Sequence, residues 1–280
     1  LSAPRLRLRA RGTMANRVID GDLALRSPAI DLSADGAIDL RNNSFDNMLV
    51  DLKLSRPQAL LKNMRGRDVA ARVRLDGPLG APGYEYLLGA KMLAFDRTMI
   101  HDLRADGKGR KAANGRALIP VRLRARRLDG QGDLVEGIIR NFTLDGVLQL
   151  ENQHIVSNPM GVRSHKLSGD LVMIADLRTG RHDFGLTGRL AGLAIRGLGI
   201  VDLTSKLPAV PGPGGAFGLT GQAQARVRRL DNGFLRGLAG GLPTLTSRLA
   251  LRPDGVLALD GMRLTAPELT LEADGYRRRD

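Results

Sequence analysis

LALRPDGVLALDGMRLTAPELTLEADG, residues 249–275, is the stretch that decides the fold. Leucines recur in it at every second position: Leu249 and Leu251, Leu257 and Leu259, Leu269 and Leu271. A period of two places these side chains on one face of a β-strand. Asp-Gly pairs separate the segments, and Asp-Gly favours the positive φ values of a tight hairpin turn. The stretch therefore predicts four short strands, each with one apolar and one polar face.

The same alternation recurs along the chain, and Asp-Gly occurs nine times. The sequence predicts an all-β fold, in which a long curled antiparallel sheet of many short strands surrounds a groove. Residues 142–150 predict a hairpin that turns at Asp145-Gly146. The side chains predicted to line the groove are Leu23, Leu25, Ile30, Leu32, Ile38, Leu40, Met48, Val50, Leu52, Leu54, Val69, Val73, Leu148, Leu150, Leu171, Met173, Leu257, Leu259, Leu269 and Leu271.

Two segments interrupt the strand pattern. Residues 55–66 and 231–242 each predict a short helix, the first from a capping Ser, an early Pro and a final Gly. Residues 208–215, PAVPGPGG, predict a loop, because proline cannot donate to a sheet ladder. The alternation resumes beyond this loop. We therefore expect residues 1–280 to form one continuous array with the loop inside it.

The composition is compatible with two ways of covering the apolar face of the sheet. Hydrophobic residues make up 42% of the chain and aromatic residues only 3%, with no tryptophan. A second sheet could cover the face as in a sandwich, giving a dry core. Alternatively, about 20 strands at about 4.8 Å spacing would curl lengthwise into a gutter whose aliphatic floor holds mobile acyl chains.

The net charge of +14 is carried largely by arginines that alternate with leucines, as Arg5, Arg7 and Arg9 do with Leu6 and Leu8. This spacing indicates the solvated face of a strand. A sheet that binds RNA would add exposed aromatic residues for base stacking, and here these residues are few and scattered. Anionic lipid headgroups are therefore preferred over nucleic acid as a partner for the charge.

No pattern indicates catalysis or a resident cofactor. The four histidines are far apart, without metal-ligand spacing, and cysteine is absent. No run of 18 apolar residues could span a bilayer as a helix. The first residues lack an initiator Met and an apolar core. Any targeting segment or membrane anchor is expected outside this stretch.

Three phrases carry a resemblance: LRPDGVLALDGMRLTAPELTLEADG at 251–275, DLSADGAIDLRN at 31–42 and LDGVLQLENQ at 144–153. In this recurrence of short leucine-rich strands and Asp-Gly pairs, the chain resembles the AsmA-like superfamily, and within it the TamB (translocation and assembly module) family. The resemblance implies a periplasmic, inner-membrane-anchored protein of a Gram-negative bacterium. It also implies a taco-shaped groove that passes phospholipid towards the outer membrane, and a partner barrel of the Omp85 type.

The leading hypothesis is thus a non-enzymatic lipid conduit. A rival is a scaffold that offers strand edges to client barrel proteins by β-augmentation. A fragment of a repetitive surface adhesin is a third reading, disfavoured because the strands are not rich in Thr and Asn.

Overall fold

The computed structural model describes residues 6–59, 62–95, 98–112, 115–129, 135–136, 139–177, 181–195, 197–211, 217–252 and 256–278. These residues form 21 strands of antiparallel sheet with one α-helix and one 3-10 helix. The predicted all-β class, with a large antiparallel sheet and short helices, is confirmed.

The strands alternate with short connections along the whole chain. They are β1 (Arg7–Ala15), β2 (Val18–Arg26), β3 (Ile30–Asp39), β4 (Ser44–Leu54), β5 (Met64–Arg67), β6 (Val69–Pro78), β7 (Gly83–Phe95), β8 (Thr98–Lys111), β9 (Ala117–Asp129), β10 (Val135–Glu136), β11 (Ile139–Glu151), β12 (His154–Ser157), β13 (Met160–Arg163), β14 (Leu167–Asp176), β15 (Arg181–Ile195), β16 (Gly199–Lys206), β17 (Ala209–Pro211), β18 (Phe217–Leu230), β19 (Thr244–Leu251), β20 (Val256–Ala266) and β21 (Leu269–Arg278). The α-helix, α1, spans Gly233–Ala239, and the 3-10 helix spans Pro57–Ala59.

The chain divides into two compact units, residues 1–129 with 141–152, and residues 130–140 with 153–280. In the first unit the antiparallel pairs run β1–β2–β3–β4–β6–β7–β8–β9, and β11 pairs with β9. The short strand β5 pairs with the second half of β7, whose first half pairs with β6.

In the second unit the pairs run β14–β15–β16–β18–β19–β20–β21. Strands β12 and β13 both pair with β14, and β17 pairs with β18. The pairing register of β20 shifts by one residue against both of its neighbours. Against β21 the shift lies between Leu259 and Met262, and against β19 it lies between Asp260 and Arg263. Gly261, within both intervals, has φ 57°. This β-bulge inserts one extra residue into β20.

The turn prediction from Asp-Gly was wrong at most of the positions that the structure describes. Residues 139–151 are one continuous strand, so Asp145-Gly146 makes no hairpin. Glycines of Asp-Gly pairs also lie inside strands at Gly21, Gly36, Gly77, Gly107, Gly261 and Gly275, while Gly130 and Gly255 lie outside the described residues. Two-residue turns occur instead at Asn16-Arg17, with φ 49° and 62°, and at Asn152-Gln153, with φ 49° and 64°. Positive φ at both central residues is the geometry of type I′ turns.

The two helix predictions had different outcomes. Residues 55–66 contain only the 3-10 helix, and β5 begins at Met64; Leu60 and Leu61 lie outside the described residues. The second prediction is confirmed as α1, where the Leu235 N–H donates to Asn232 Oδ1 at 3.0 Å and Gly240 ends the helix at φ 63°. In the predicted loop 208–215, Ala209–Pro211 pairs as β17 and residues 212–215 lie outside the described residues.

Candidate functional site

An apolar row crosses the first unit at right angles to its strands. Strand pairing aligns one residue from each of eight strands, which we call the first leucine row: Leu8, Leu25, Leu32, Leu52, Ala71, Leu88, Ala105 and Leu123. Seven inter-strand steps of about 4.8 Å make this row about 34 Å long. It is long enough for an extended apolar ligand.

The second unit carries a similar row. The second leucine row consists of Leu167, Leu190, Leu203, Ala225, Leu245, Leu264 and Leu271, one residue from each of seven strands. Its six steps of about 4.8 Å span about 29 Å. The bulge at Gly261 matters here, because the extra residue keeps Leu264 on the same face as Leu257 and Leu259.

The leucines of both rows remain accessible. None of these twelve side chains is buried, and the exposed fractions of Leu8 and Leu271 are 64% and 53%. Leucine is among the residues most often fully buried in a closed core. Each row is therefore apolar surface that the unit to which it belongs leaves partly uncovered.

One margin of the face in the first unit is sealed. Leu54, Met64 and Val69, at the ends of their strands, and Leu103, within β8, form part of a buried cluster. Pro57 of the 3-10 helix is fully buried, and a Cβ at Gly66 would lie 3.1 Å from its Cγ. The 3-10 helix thus closes the margin. Leu52, Leu88 and Leu123 of the first leucine row pack against this cluster and are half-buried.

The second unit has an equivalent sealed margin. Val201, Val227 and Leu230 are buried together, and Leu235 of α1 packs against them. Two other apolar side chains of α1 are exposed, with exposed fractions of 77% for Phe234 and 47% for Leu238. This short helix therefore covers the strand ends and leaves the second leucine row accessible.

Strand pairing places most of the predicted lining residues on the same faces as the rows. In the first unit these residues are Leu23, Leu25, Ile30, Leu32, Ile38, Met48, Val50, Leu52, Leu54, Val69 and Val73; in the second they are Leu171, Met173, Leu257, Leu259, Leu269 and Leu271. Leu54 and Val69 belong to the sealed cluster, with exposed fractions of 7% and 3%. Leu40 lies in the turn after β3, and Leu148 and Leu150 are half-buried on β11.

The sequence prediction missed several members of the rows. Leu88, Leu190, Leu203, Leu245 and Leu264 have the same period of two, and that signal could have identified them. On β14, Val172 and Ile174 alternate with Leu171 and Met173 and are the more buried pair. In β14 both faces are therefore apolar.

Two tyrosines lie across the face of the first unit. Tyr86 and Tyr84 on β7 pass over Gly107 and Gly109 on β8 and donate hydrogen bonds to carbonyl oxygens of β9. Burial raises the pKa of Tyr86 to about 12, and the nearby Tyr84 and Asp106 add to the increase. The phenol of Tyr86 therefore stays neutral and available as a donor at physiological pH.

The opposite faces of strands other than β14 are mostly polar and carry cross-strand ion pairs. Cross-strand pairs join Arg72 to Asp51 and Arg122 to Asp106, each at 2.6 Å. In the second unit Asp202 lies 2.9 Å from Arg189 and accepts the Gly192 N–H at 2.8 Å, at the β-bulge of β15. That backbone hydrogen bond, with the adjacent arginines, holds the pKa of Asp202 below its ordinary value.

No family model, curated protein or solved structure matches this chain. Among the residues that the structure describes, no helix has both the length and the apolar character needed to cross a membrane. Within the same residues, no group of three or more His, Asp or Glu side chains is placed to hold a metal ion.

Proposed function

We propose that the chain is a non-enzymatic conduit whose two leucine rows carry the acyl chains of phospholipids. The observation that carries the proposal is the accessibility of these rows, in which all twelve leucines keep exposed surface. Apolar surface left in water costs about 25 cal/mol per Å² relative to apolar contact. An acyl chain that lies along a row recovers this free energy.

The side chains of the rows favour a lipid that moves along them over a lipid bound at one place. Their members are leucine and alanine, without a polar anchor that would fix one lipid in place. The hydrocarbon core of a bilayer is about 30 Å thick, so one acyl chain reaches about 15 Å. Each row is about twice that length. An acyl chain can therefore slide along a row between equivalent contacts at little cost in free energy.

The resemblance to the AsmA-like superfamily and its TamB family supports the same proposal. On this reading the protein is periplasmic in a Gram-negative bacterium, with an inner-membrane anchor elsewhere in the protein. Phospholipid passes along it between the inner and outer membranes, and an Omp85-type barrel is the expected outer-membrane partner.

Photocrosslinking tests the proposal with matched positions on opposite faces. A photoreactive residue at Leu52 or Leu245, on the leucine rows, is expected to yield phospholipid adducts in cells. Thr246 follows Leu245 directly in the same strand and points to the polar face, so it serves as the control. Equal adduct yields at Leu245 and Thr246 would overturn the proposal.

A second candidate function rests on β1. All nine residues of this strand are exposed, and among the described strands it pairs with β2 along its whole length. An edge of this kind can accept a further strand by β-augmentation, as a scaffold for outer-membrane barrel proteins would require. Crosslinks from Gly12 or Thr13 to nascent barrel strands, without lipid adducts at Leu52, would favour this function.

A further inference from the structure

The polar face of the first unit contains an open depression of about 800 Å³. It lies over β2, β3, β4, β6, β7 and β8, and we call it the polar-face cleft. Its rim carries the cations Arg26, Lys53, Arg72 and Arg104, and its floor includes Ala70, Leu87 and Gly89. The lining also includes four members of the first leucine row: Leu32, Leu52, Ala71 and Leu88. Since neighbouring residues in a strand point to opposite faces, Leu87 and Gly89 lie on the face opposite Leu88 of the first leucine row.

Strand register explains why the cleft exists. Lys53 pairs with Ala70, Ala70 with Gly89, and Gly89 with Arg104. Two residues with little or no side chain therefore separate two long cationic ones. Three steps of about 4.8 Å put the backbones of Lys53 and Arg104 about 14 Å apart, with the space above Ala70 and Gly89 between them.

Gly89 has no structural need to be glycine. A Cβ at this position would meet no atom within 4 Å, and its φ lies outside the positive range that disfavours other residues. Glycine in a strand interior lowers stability and often marks a place where another group approaches closely. At Gly89 the neighbouring strands make no such approach, so open space remains above the strand at this position.

The charged side chains around this space differ in whether they form ion pairs. Asp51 holds Arg72 through two hydrogen bonds, of 2.6 and 3.1 Å. Among the residues that the structure describes, Arg26, Lys53 and Arg104 form no ion pair, and Asp31 and Asp51 are the acidic residues of the lining. Four cations face two carboxylates, so the cleft attracts anions.

One apolar side chain completes the cleft. Leu87 is 56% exposed on an otherwise polar face, and strand pairing places it between Arg72 and Asp106. A cationic rim beside an exposed leucine matches a ligand that carries an anionic and an apolar group together. Guanidinium groups pair with phosphate oxygens through two parallel hydrogen bonds.

We propose that the polar-face cleft binds a phosphate ester through Arg104 and Lys53, with an apolar part of the same ligand against Leu87. The side chains of Arg104, Lys53 and Leu87 lie on the face opposite the first leucine row, and four members of that row also contribute to the lining of the cleft. A phospholipid headgroup and a free phosphate ester share this chemistry. The size of the apolar contribution distinguishes them.

Titration calorimetry on the full chain tests the site with two probes, inorganic phosphate and dihexanoylphosphatidylglycerol kept below its micelle concentration. Arg104→Gln removes the charged hydrogen bonds and is expected to weaken binding of either probe by about tenfold or more. Gly89→Glu fills the space with an anion and is expected to abolish binding. Circular dichroism checks that both variants remain folded.

Arg122→Gln is the matched control, because Arg122 is an exposed arginine of β9 that is paired with Asp106 and lies outside the cleft lining. Tighter binding of the phospholipid than of phosphate, weakened by Arg104→Gln, supports a headgroup site, and equal binding that depends on Arg104 supports a free phosphate ester. Absence of binding by the unmodified chain, or equal loss in Arg122→Gln and Arg104→Gln, overturns the proposal.

Discussion

The hydroxyl group of Tyr86 donates a hydrogen bond of 2.8 Å to the carbonyl oxygen of Pro120, two strands away. The ring reaches Pro120 because Gly107 lies beneath it: a Cβ on Gly107 would lie 2.7 Å from Tyr86 Cε1. Tyr84 makes the same crossing over Gly109 and donates to Leu118 at 2.6 Å. Aromatic side chains thus replace the missing side chains of β8 and tie three strands together.

We expect Tyr86→Phe to lower the free energy of unfolding by about 1 kcal/mol, the usual net value of one hydrogen bond. The pH dependence gives a second readout, because burial raises the pKa of Tyr86 from 10.0 to about 12. The contribution of this group is complete below pH 10.0 and is lost as pH rises towards about 12. Urea unfolding at both ends of this range measures the loss, which should be smaller in Tyr86→Phe, where Tyr84, whose pKa is also raised by burial, still contributes.

Gly36 is expected to tolerate no side chain. Its φ is 145°, and a Cβ would lie 2.7 Å from Met48 Cα. We expect Gly36→Ala to cost about 2–3 kcal/mol through strain and overpacking. Gly275 is the control, because a Cβ there meets no atom within 4 Å. A thermal-melt series in which Gly275→Ala destabilises as much as Gly36→Ala would refute this assignment.

Leucines of the sealed cluster and of the leucine rows should differ in their contribution to stability. Leu54 is 7% exposed within the buried cluster, so Leu54→Ala is expected to cost about 2–4 kcal/mol. Leu25 belongs to the accessible row, and Leu25→Ala should cost about 1 kcal/mol. Denaturant midpoints measure both variants. Equal losses would indicate that the row is a closed core.

Asp202 is expected to stabilise the β-bulge of β15. Asp202→Asn weakens its contacts with the Gly192 N–H and with Arg189, and we expect a loss of about 1–2 kcal/mol at neutral pH. Since the folded state lowers the pKa of Asp202, its contribution is present above the ordinary value of 3.8 and disappears as pH falls through the folded value. Asp170→Asn, on an exposed position of β14, is the control.

The period of two was sufficient to predict the strands and the face on which Leu25, Leu52 or Leu259 lies. Chain reversals were predicted poorly, because Asp-Gly is compatible with two structures. It can turn a chain, or it can place Asp on the polar face and Gly on the apolar face of an unbroken strand, as at Asp20-Gly21. Gly21 pairs with both Gly12 and Gly36, and only this three-strand relationship identifies its role.

The helix prediction at 55–66 failed, and the polar-face cleft was not predicted, for a related reason: both depend on which strands pair. Met64 forms a strand because its partner Phe95 is available in β7, a contact that helix propensity does not include. Lys53, Ala70, Gly89 and Arg104 are far apart in sequence and become neighbours only through register. A single sequence does not specify which strands pair.

The bulge at Gly261 has a consequence for how this chain can evolve. It corrects the alternation of β20, so losing that one codon would turn Met262 and Leu264 to the opposite side while the strand itself persisted. Exchanges among aliphatic residues leave the alternation intact. Natural variants should therefore differ widely in which aliphatic residues they carry. A single-codon insertion or deletion within a strand should persist only where a second insertion or deletion nearby restores the alternation.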